Sequence, residues 1–173
     1  MRAFRSDRDG RVSARFDPQE VELLLVLAEE AADLAAAAAG GVDDDGMADP
    51  ALLRLLPDAY PGDPEKSAEF RRFTADGIAE RKALNARTVI ECLAQTEGEV
   101  RLDAAQASAW LRSITDIRLV LAARLDIVQD GDAADLYDQQ ALARRAVYDW
   151  LAAVQDSLVH ALERSARRAD RRT

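Results

Sequence analysis

"WLRSITDIRLVLAARL", Trp110 to Leu125, decides the fold class. Trp110, Ile114, Ile117, Leu121 and Leu125 recur at helical spacing on one face, and Leu119, Val120, Ala122 and Ala123 make the second half apolar nearly all round. A helix of that kind needs other elements on several sides, so the pattern predicts a central helix over roughly 104–125. Composition agrees: 49% of the residues are hydrophobic, with many alanines and leucines, and only 5% are aromatic, which favours closely packed helices over a sheet core. At 173 residues the chain is expected to form a single helical domain: a β-hairpin over 1–16, a helical core over 17–163 and a frayed basic tail over 164–173.

On the N-terminal side, "RAFRSDRDGRVSARF" alternates loosely about Asp9-Gly10, a dipeptide suited to a tight hairpin turn. "FDPQE" then supplies Asp17 as N-cap, Pro18 at the first helical position and Glu20 two residues later, so a first helix starts there. Val21, Leu24, Leu25, Ala28, Ala32, Ala35 and Ala39 form its stripe, widened by Leu23, Val26 and Leu27, and Gly40-Gly41 ends it. Asp49-Pro50 starts a short second helix. Asp63-Pro64-Glu65 starts a third that runs to about Gln95, with Gly77 as a point of close approach or bending. Between these two helices, Pro57 and Pro61 stiffen "LLPDAYPGDPE" into a pre-ordered loop that carries Tyr60. "GEVRLD", Gly98 to Asp103, reads as a short strand and an N-cap and resembles "GRVSARFD", which allows the two segments to pair or to form a degenerate repeat. A fifth helix carries Val147, Trp150, Leu151, Val154, Leu158 and Leu162 on one face. The expected fold is mainly α, a bundle of about five helices with a small N-terminal hairpin that pairs with a strand near 98–102.

The formal charge of −9 excludes a uniform positive field, so nucleic acid is not the expected partner. The exception is local. Arg2, Arg5, Arg8, Arg11 and Arg15 at one end, and Arg164, Arg167, Arg168, Arg171 and Arg172 at the other, make a basic face if the two ends meet, and are otherwise solubilising charges. The single cysteine, Cys92, leaves no intramolecular disulfide and reads as a small buried hydrophobe. With neither a signal peptide nor a long apolar run, the expectation is a soluble cytoplasmic protein without a membrane role.

Few residues carry chemistry. Lys82 and Asn85 interrupt the stripe Ile78, Lys82, Asn85, Val89 and Cys92 of the third helix. Either Lys82 snorkels to water and Asn85 bonds nearby backbone, or the two line a polar pocket between helices. Asp116 and Arg118 stand within the apolar stretch of the fourth helix. Two residues apart, they point in different directions, so each needs another partner. For Asp116 the candidates are Arg112, Lys82, Arg71 and Arg72. A buried ion network is one reading, and an anion or partner site built from Arg118, Arg71 and Arg72 is the other. In "EFRRFT", Phe70 and Phe73 are expected in the core, with Arg71 and Arg72 flanking them on a solvated face. The acidic stretches "VDDDGM" and "DIVQDGDAADLY" lack the alternation and the closing glutamate of a calcium loop. His160 reads as part of a surface ion pair on the last helix. No nucleophile with a base, phosphate loop or Cys/His cluster is present. No catalytic residue, cofactor or metal ligand is assigned, and the reading leans away from an enzyme.

In order and spacing, "LLPDAYPGDPEKSAEFRRFT", "ERKALNARTV", "WLRSITDIRLVLAARL" and "VYDWL" resemble an uncharacterised actinobacterial domain-of-unknown-function family over nearly the full chain. The resemblance singles out Pro57, Tyr60, Asp63, Glu69, Arg71, Arg72, Thr74, Lys82, Asn85, Asp116, Arg118 and Trp150. Thr115 stands where the family has asparagine, and Ala122 where it often has glycine. Genes of the family commonly stand beside that of the Clp protease adaptor, which implies a link to regulated proteolysis, and some members are labelled transcriptional regulators. The expectation is a regulatory module that associates with an unidentified protein through a surface comprising Tyr60, Arg71, Arg72, Lys82, Asn85, Asp116 and Arg118. A homodimer through the alanine stripe of the first helix is also expected. An inter-helix anion pocket and a nucleic-acid-linked regulator using the terminal arginines are the alternatives.

Overall fold

The computed structural model describes residues 1–39, 49–127 and 138–170, which form β1 (Arg2–Ser6), β2 (Val12–Arg15), α1 (Pro18–Ala39), α2 (Pro50–Leu55), α3 (Pro64–Ala94), β3 (Glu99–Leu102), α4 (Ala104–Arg124) and α5 (Gln139–Asp170). The mainly helical fold with its N-terminal hairpin is as the sequence pattern predicts. Gly10 takes φ +89° in the turn between β1 and β2. The weak likeness between "GRVSARFD" and "GEVRLD" is a pairing: β2 lies antiparallel between β1 and β3, with Val12 opposite Leu102 and Arg15 opposite Glu99. Val12, Ala14, Val100 and Leu102 point inward, while Ser13, Arg15, Glu99 and Arg101 alternate outward.

Helix starts follow the capping residues. The Asp17 carboxylate accepts from Gln19 N and Glu20 N at 3.0 and 2.9 Å, and Glu20 accepts in return from Asp17 N at 2.8 Å. Asp103 and Gln106 make the same reciprocal pair at the start of α4. Asp49 caps α2 and takes both terminal nitrogens of Arg124, which ties α2 to the last turn of α4; those hydrogen bonds hold its carboxyl below the usual range.

Trp110 is fully buried at the centre of the core. Phe16 stacks on it at 5.9 Å, Phe4 meets both rings edge-on at about 6 Å, and Trp150 meets Phe16 edge-on at 6.5 Å. The hairpin, α4 and α5 are thereby joined in one aromatic cluster. Leu151, Val154, Leu158 and Ala161 of α5 are buried beside it.

Four expectations are corrected. Ala28, Ala31 and Ala35 of α1 are buried in the bundle, where their small side chains allow α1 to pack most extensively along α3, so this stripe is not a free dimer surface; Val26 instead is 47% exposed. Gly77 is not a point of close approach, because a Cβ there meets nothing within 4 Å. The basic tail is not frayed over 164–170: α5 continues, Arg164 and Arg168 donate to the carbonyls of Phe4 and Ser6, and Ser165 donates to Gly10 O. Phe70 and Phe73 lie outside the core, 41% and 82% exposed. The reason is face as well as length: both lie on the side of α3 away from Ala79, Ala83 and Ala86, and the helix outruns its neighbours. By helical rise α3 spans about 46 Å, against about 33 Å for α1 and about 32 Å for α4, and no residue of α3 between Ser67 and Ala79 is buried.

Two glycines separate the constraints. At Gly98, φ is +89° and an added Cβ would lie 2.4 Å from Phe16 O, whereas Gly77 has open space around it in an ordinary helix interior. Gly98→Ala is expected to lose on the order of 2–4 kcal/mol, because it forces both the backbone and the Phe16 strand end to shift. Gly77→Ala is expected to gain about 0.5–1 kcal/mol by reducing the entropy lost on folding. Urea unfolding of the two variants should show midpoints displaced in opposite directions.

Candidate functional site

Lys82 of α3 and Asp116 of α4 face each other across the helix packing, where the sequence places two charges within apolar stripes. Lys82 Nζ donates to Asp116 Oδ1 at 2.5 Å, and the side chains are 20% and 10% exposed. Of the four cations considered for Asp116, Lys82 is therefore its partner. Burial pushes the Asp116 carboxyl above its ordinary value, and the hydrogen bond and charge of Lys82 oppose that rise without cancelling it. An open groove of about 400 Å³ runs over the pair, lined by Ile78, Arg81, Lys82 and Asn85 from α3 and by Leu111, Arg112, Thr115 and Asp116 from α4. Ile78 and Leu111 give it apolar walls. Arg81 and Arg112 are exposed at its rim and have no carboxylate partner among the described residues.

Arg118 lies outside the groove. Its Nη1 donates to Gln155 Oε1 at 2.8 Å and its guanidinium sits 4.6 Å from the centroid of the Tyr148 ring. Gln155 Nε2 in turn donates to Thr115 Oγ1 at 2.9 Å, which connects Arg118 through two polar side chains to the groove wall. Asp116 and Arg118 thus have separate partners, as their angular separation on α4 requires.

The anion site of Arg118, Arg71 and Arg72 is not assembled. Arg71 pairs with Asp58 of the proline loop at 3.1 Å, and Arg72 is exposed. Tyr60 belongs to a separate surface, 47% exposed and edge-on to Phe70 at 6.1 Å. Its loop is ordered from both sides, since Ser67 Oγ accepts from Tyr60 N and donates to Tyr60 O, and Asp63 N donates to the same carbonyl. Among the candidate residues, Lys82, Asn85 and Asp116 are brought together, whereas Tyr60, Arg71, Arg72 and Arg118 are not in their groove.

Sequence reasoning passed over Arg81, Gln155 and Tyr148. Arg81 stands one position round the helix from Lys82, where the stripe reads solvent, and the other two become visible only once α5 lies beside α4. His160 makes no ion pair among the described residues: its Nδ1 meets the main-chain carbonyl of Asp156 at 2.8 Å. Cys92 is partly buried against the core, and burial pushes its thiol pKa up. No group of His, Cys, Asp or Glu among the described residues is arranged to hold a metal. Most of both acidic stretches weighed against calcium, 42–48 and 128–137, lies outside the described residues. No helix of the described residues is long and apolar enough to cross a membrane.

Residues 1–162 match the family described as a domain of unknown function, DUF2017, and the chain belongs to that family. A Mycobacterium tuberculosis protein named oxidative stress regulator AosR is 28% identical over 124 residues, 64% of this chain and 57% of that protein. The Mycobacterium bovis protein of that name matches to the same extent. A Mycobacterium leprae protein bearing the same regulator name is 30% identical over 127 residues, 66% of this chain and 58% of the relative. The alignments thus span a little over half the length of these relatives. No solved structure matches.

The ion pair gives a test of the groove. Lys82→Met leaves the Asp116 carboxylate without its cation and is expected to cost on the order of 2 kcal/mol at neutral pH, below the cost for a fully enclosed pair because Lys82 retains contact with water. Adding Asp116→Leu should recover most of the loss. Because its folded pKa is raised, Asp116 favours the folded state most when protonated, and this contribution is lost as pH rises from the ordinary carboxylate range through the raised value. The Lys82→Met penalty should therefore shrink on acidification through that window. Urea titrations across pH check it, and a penalty that does not change with pH would contradict a carboxylate stranded by loss of Lys82.

Proposed function

We propose that this chain is a non-catalytic regulatory protein that acts by docking a protein partner along the outer side of α3. The observation that carries the reading is the exposed apolar strip on that helix: Phe73 at 82%, Leu84 at 59%, Phe70 at 41% and Ile78 at 39%, extended by Tyr60 from the ordered loop. Phe70, Phe73 and Leu84 fall on the side of the helix opposite Ala79, Ala83 and Ala86, so they face away from the packed bundle. Large exposed apolar side chains concentrated on one helix favour association, and aromatic and arginine side chains supply the energetic centres of protein interfaces. Arg81 and Arg112 stand beside the strip. A partner segment combining apolar anchors with carboxylates would meet both features.

The regulator names of the mycobacterial relatives support the regulatory half of this reading. The family resemblance adds regulated proteolysis as the setting, which identification of the partner would test. A second reading rests on the groove: at about 400 Å³ it lies within the ~300–1,000 Å³ range of small-molecule sites. Its apolar walls and two uncompensated guanidinium groups suit a small carboxylate with an apolar body.

Tagged protein should retain a specific protein from an actinobacterial lysate, and a Phe73→Ser, Leu84→Ser variant should lose it while keeping its helical circular dichroism. Both side chains face solvent, so the substitutions leave the core intact. The same proteins on native and variant baits, or none on either, would overturn the docking surface. If the partner is a second copy, light scattering should show a native dimer and a monomeric variant. The small-carboxylate reading instead predicts a thermal shift with such ligands that Arg81→Ala, Arg112→Ala abolishes.

A further inference from the structure

We infer that the outer face of the β1–β2 hairpin is a nucleic-acid backbone site, with Arg2, Arg5 and Arg15 as its phosphate-binding groups. The inference begins with a backbone irregularity. Arg2 and Arg5 are three residues apart, so in a regular strand they would point to opposite faces. The register of β1 on β2 shifts between them: Arg2 pairs with Arg15 and Arg5 with Ser13. Directly opposed residues share a face, so the irregularity brings Arg2 and Arg5 onto the outer face with Arg15 and Ser13, while Phe4 remains buried.

The three guanidinium groups line one shallow depression with Ser13 and Glu99. None of the three has a hydrogen bond or ion pair among the described residues, whereas Arg101 on the same face is neutralised by Asp7 and Asp9 at 3.0 and 2.8 Å. One carboxylate, Glu99, offsets three cations. The far end of α5 adds Arg164 and Arg168, whose groups donate to the β1 carbonyls of Phe4 and Ser6 and have no carboxylate partner among the described residues. The two ends of the chain therefore meet, which is the condition under which their arginines form a basic face on a molecule of net charge −9.

Size and chemistry choose the ligand. The depression holds about 150 Å³, below the ~300–1,000 Å³ of sites that enclose a small molecule, so it suits successive phosphates of a chain lying across it. Its lining contains no large apolar or aromatic side chain, which removes the means of inserting into a lipid surface or stacking unpaired bases. Arginines projecting from the outer face of a sheet suit contacts to the sugar-phosphate backbone of a duplex, which fix position without reading sequence. This inference is independent of the docking strip on α3.

The test is fluorescence anisotropy with a labelled mixed-sequence DNA duplex at low ionic strength. Native protein should bind with a slope of log K against log salt of about −3, one step for each of the three arginines. Arg2→Ala, Arg5→Ala, Arg15→Ala should weaken binding at least about tenfold and flatten the slope, each single substitution removing about one unit. Arg81→Ala, Arg112→Ala should leave binding unchanged. Absence of binding at low salt, or a triple variant that binds like native protein, would overturn the assignment. So would phosphatidylserine vesicles binding where the duplex does not, or inorganic phosphate displacing the duplex far better than chloride at equal ionic strength, which would mark a membrane or single-anion site. Native-like circular dichroism and unfolding of the triple variant establish that any loss belongs to the surface.

Discussion

The fold depends on Trp110. A buried indole of this size cannot be surrounded by the alanines of α1 and α3 alone, and the shell is completed by Phe16 stacked on its face and Phe4 on its edge, both supplied by the hairpin. The three-stranded sheet, too small to be stable by itself, becomes a wall of the helical core because its inward residues Val12, Ala14, Val100 and Leu102 close over the same cluster. Once the hairpin is fixed by these rings, α5 has an edge to pack along, and Arg164 and Arg168 satisfy carbonyls of β1 that face away from β2. Core aromatics thus determine where the terminal arginines stand.

A second constraint is the mismatch in helix length. From Ala79 onward α3 packs against α1 and α4, where Ala79, Ala83 and Ala86 bring the axes close. Its first half has no such partner. Phe70 and Phe73 have helical spacing suited to burial, but nothing in the described bundle reaches them, and Tyr60 from the proline loop covers only the edge of one ring. The same protrusion leaves the start of the α3–α4 contact open as the groove over Lys82 and Asp116.

Element types and most boundaries were legible because they rest on local chemistry: Asp17, Asp49, Asp63 and Asp103 cap helices where the sequence places them. The unusual position of Lys82 and Asp116 was also legible, since a charge on an apolar stripe needs compensation. Their mutual choice was not, because Arg71, Arg72 and Arg112 had equal claims until helix register excluded them. Phe70 and Phe73 were misread for a related reason. Periodicity reports which residues share a face, while burial depends on whether another element covers it. The tail was misread because its arginines look like solvated charge, and their partners are main-chain carbonyls more than 150 residues earlier in the chain.

The Lys82–Asp116 pair is not well explained as a source of stability. Desolvation outweighs the help Lys82 gives, as the upward shift of the Asp116 carboxyl shows, and apolar residues of similar volume often match or exceed the stability of such pairs. Its effect on its neighbours is more informative. With Asp116 taken up by Lys82, Arg81 and Arg112 have no carboxylate partner among the described residues, and the groove keeps their two positive charges on a protein of net charge −9. The pair thereby sets the charge balance of the groove, and its modest contribution to stability accords with that role.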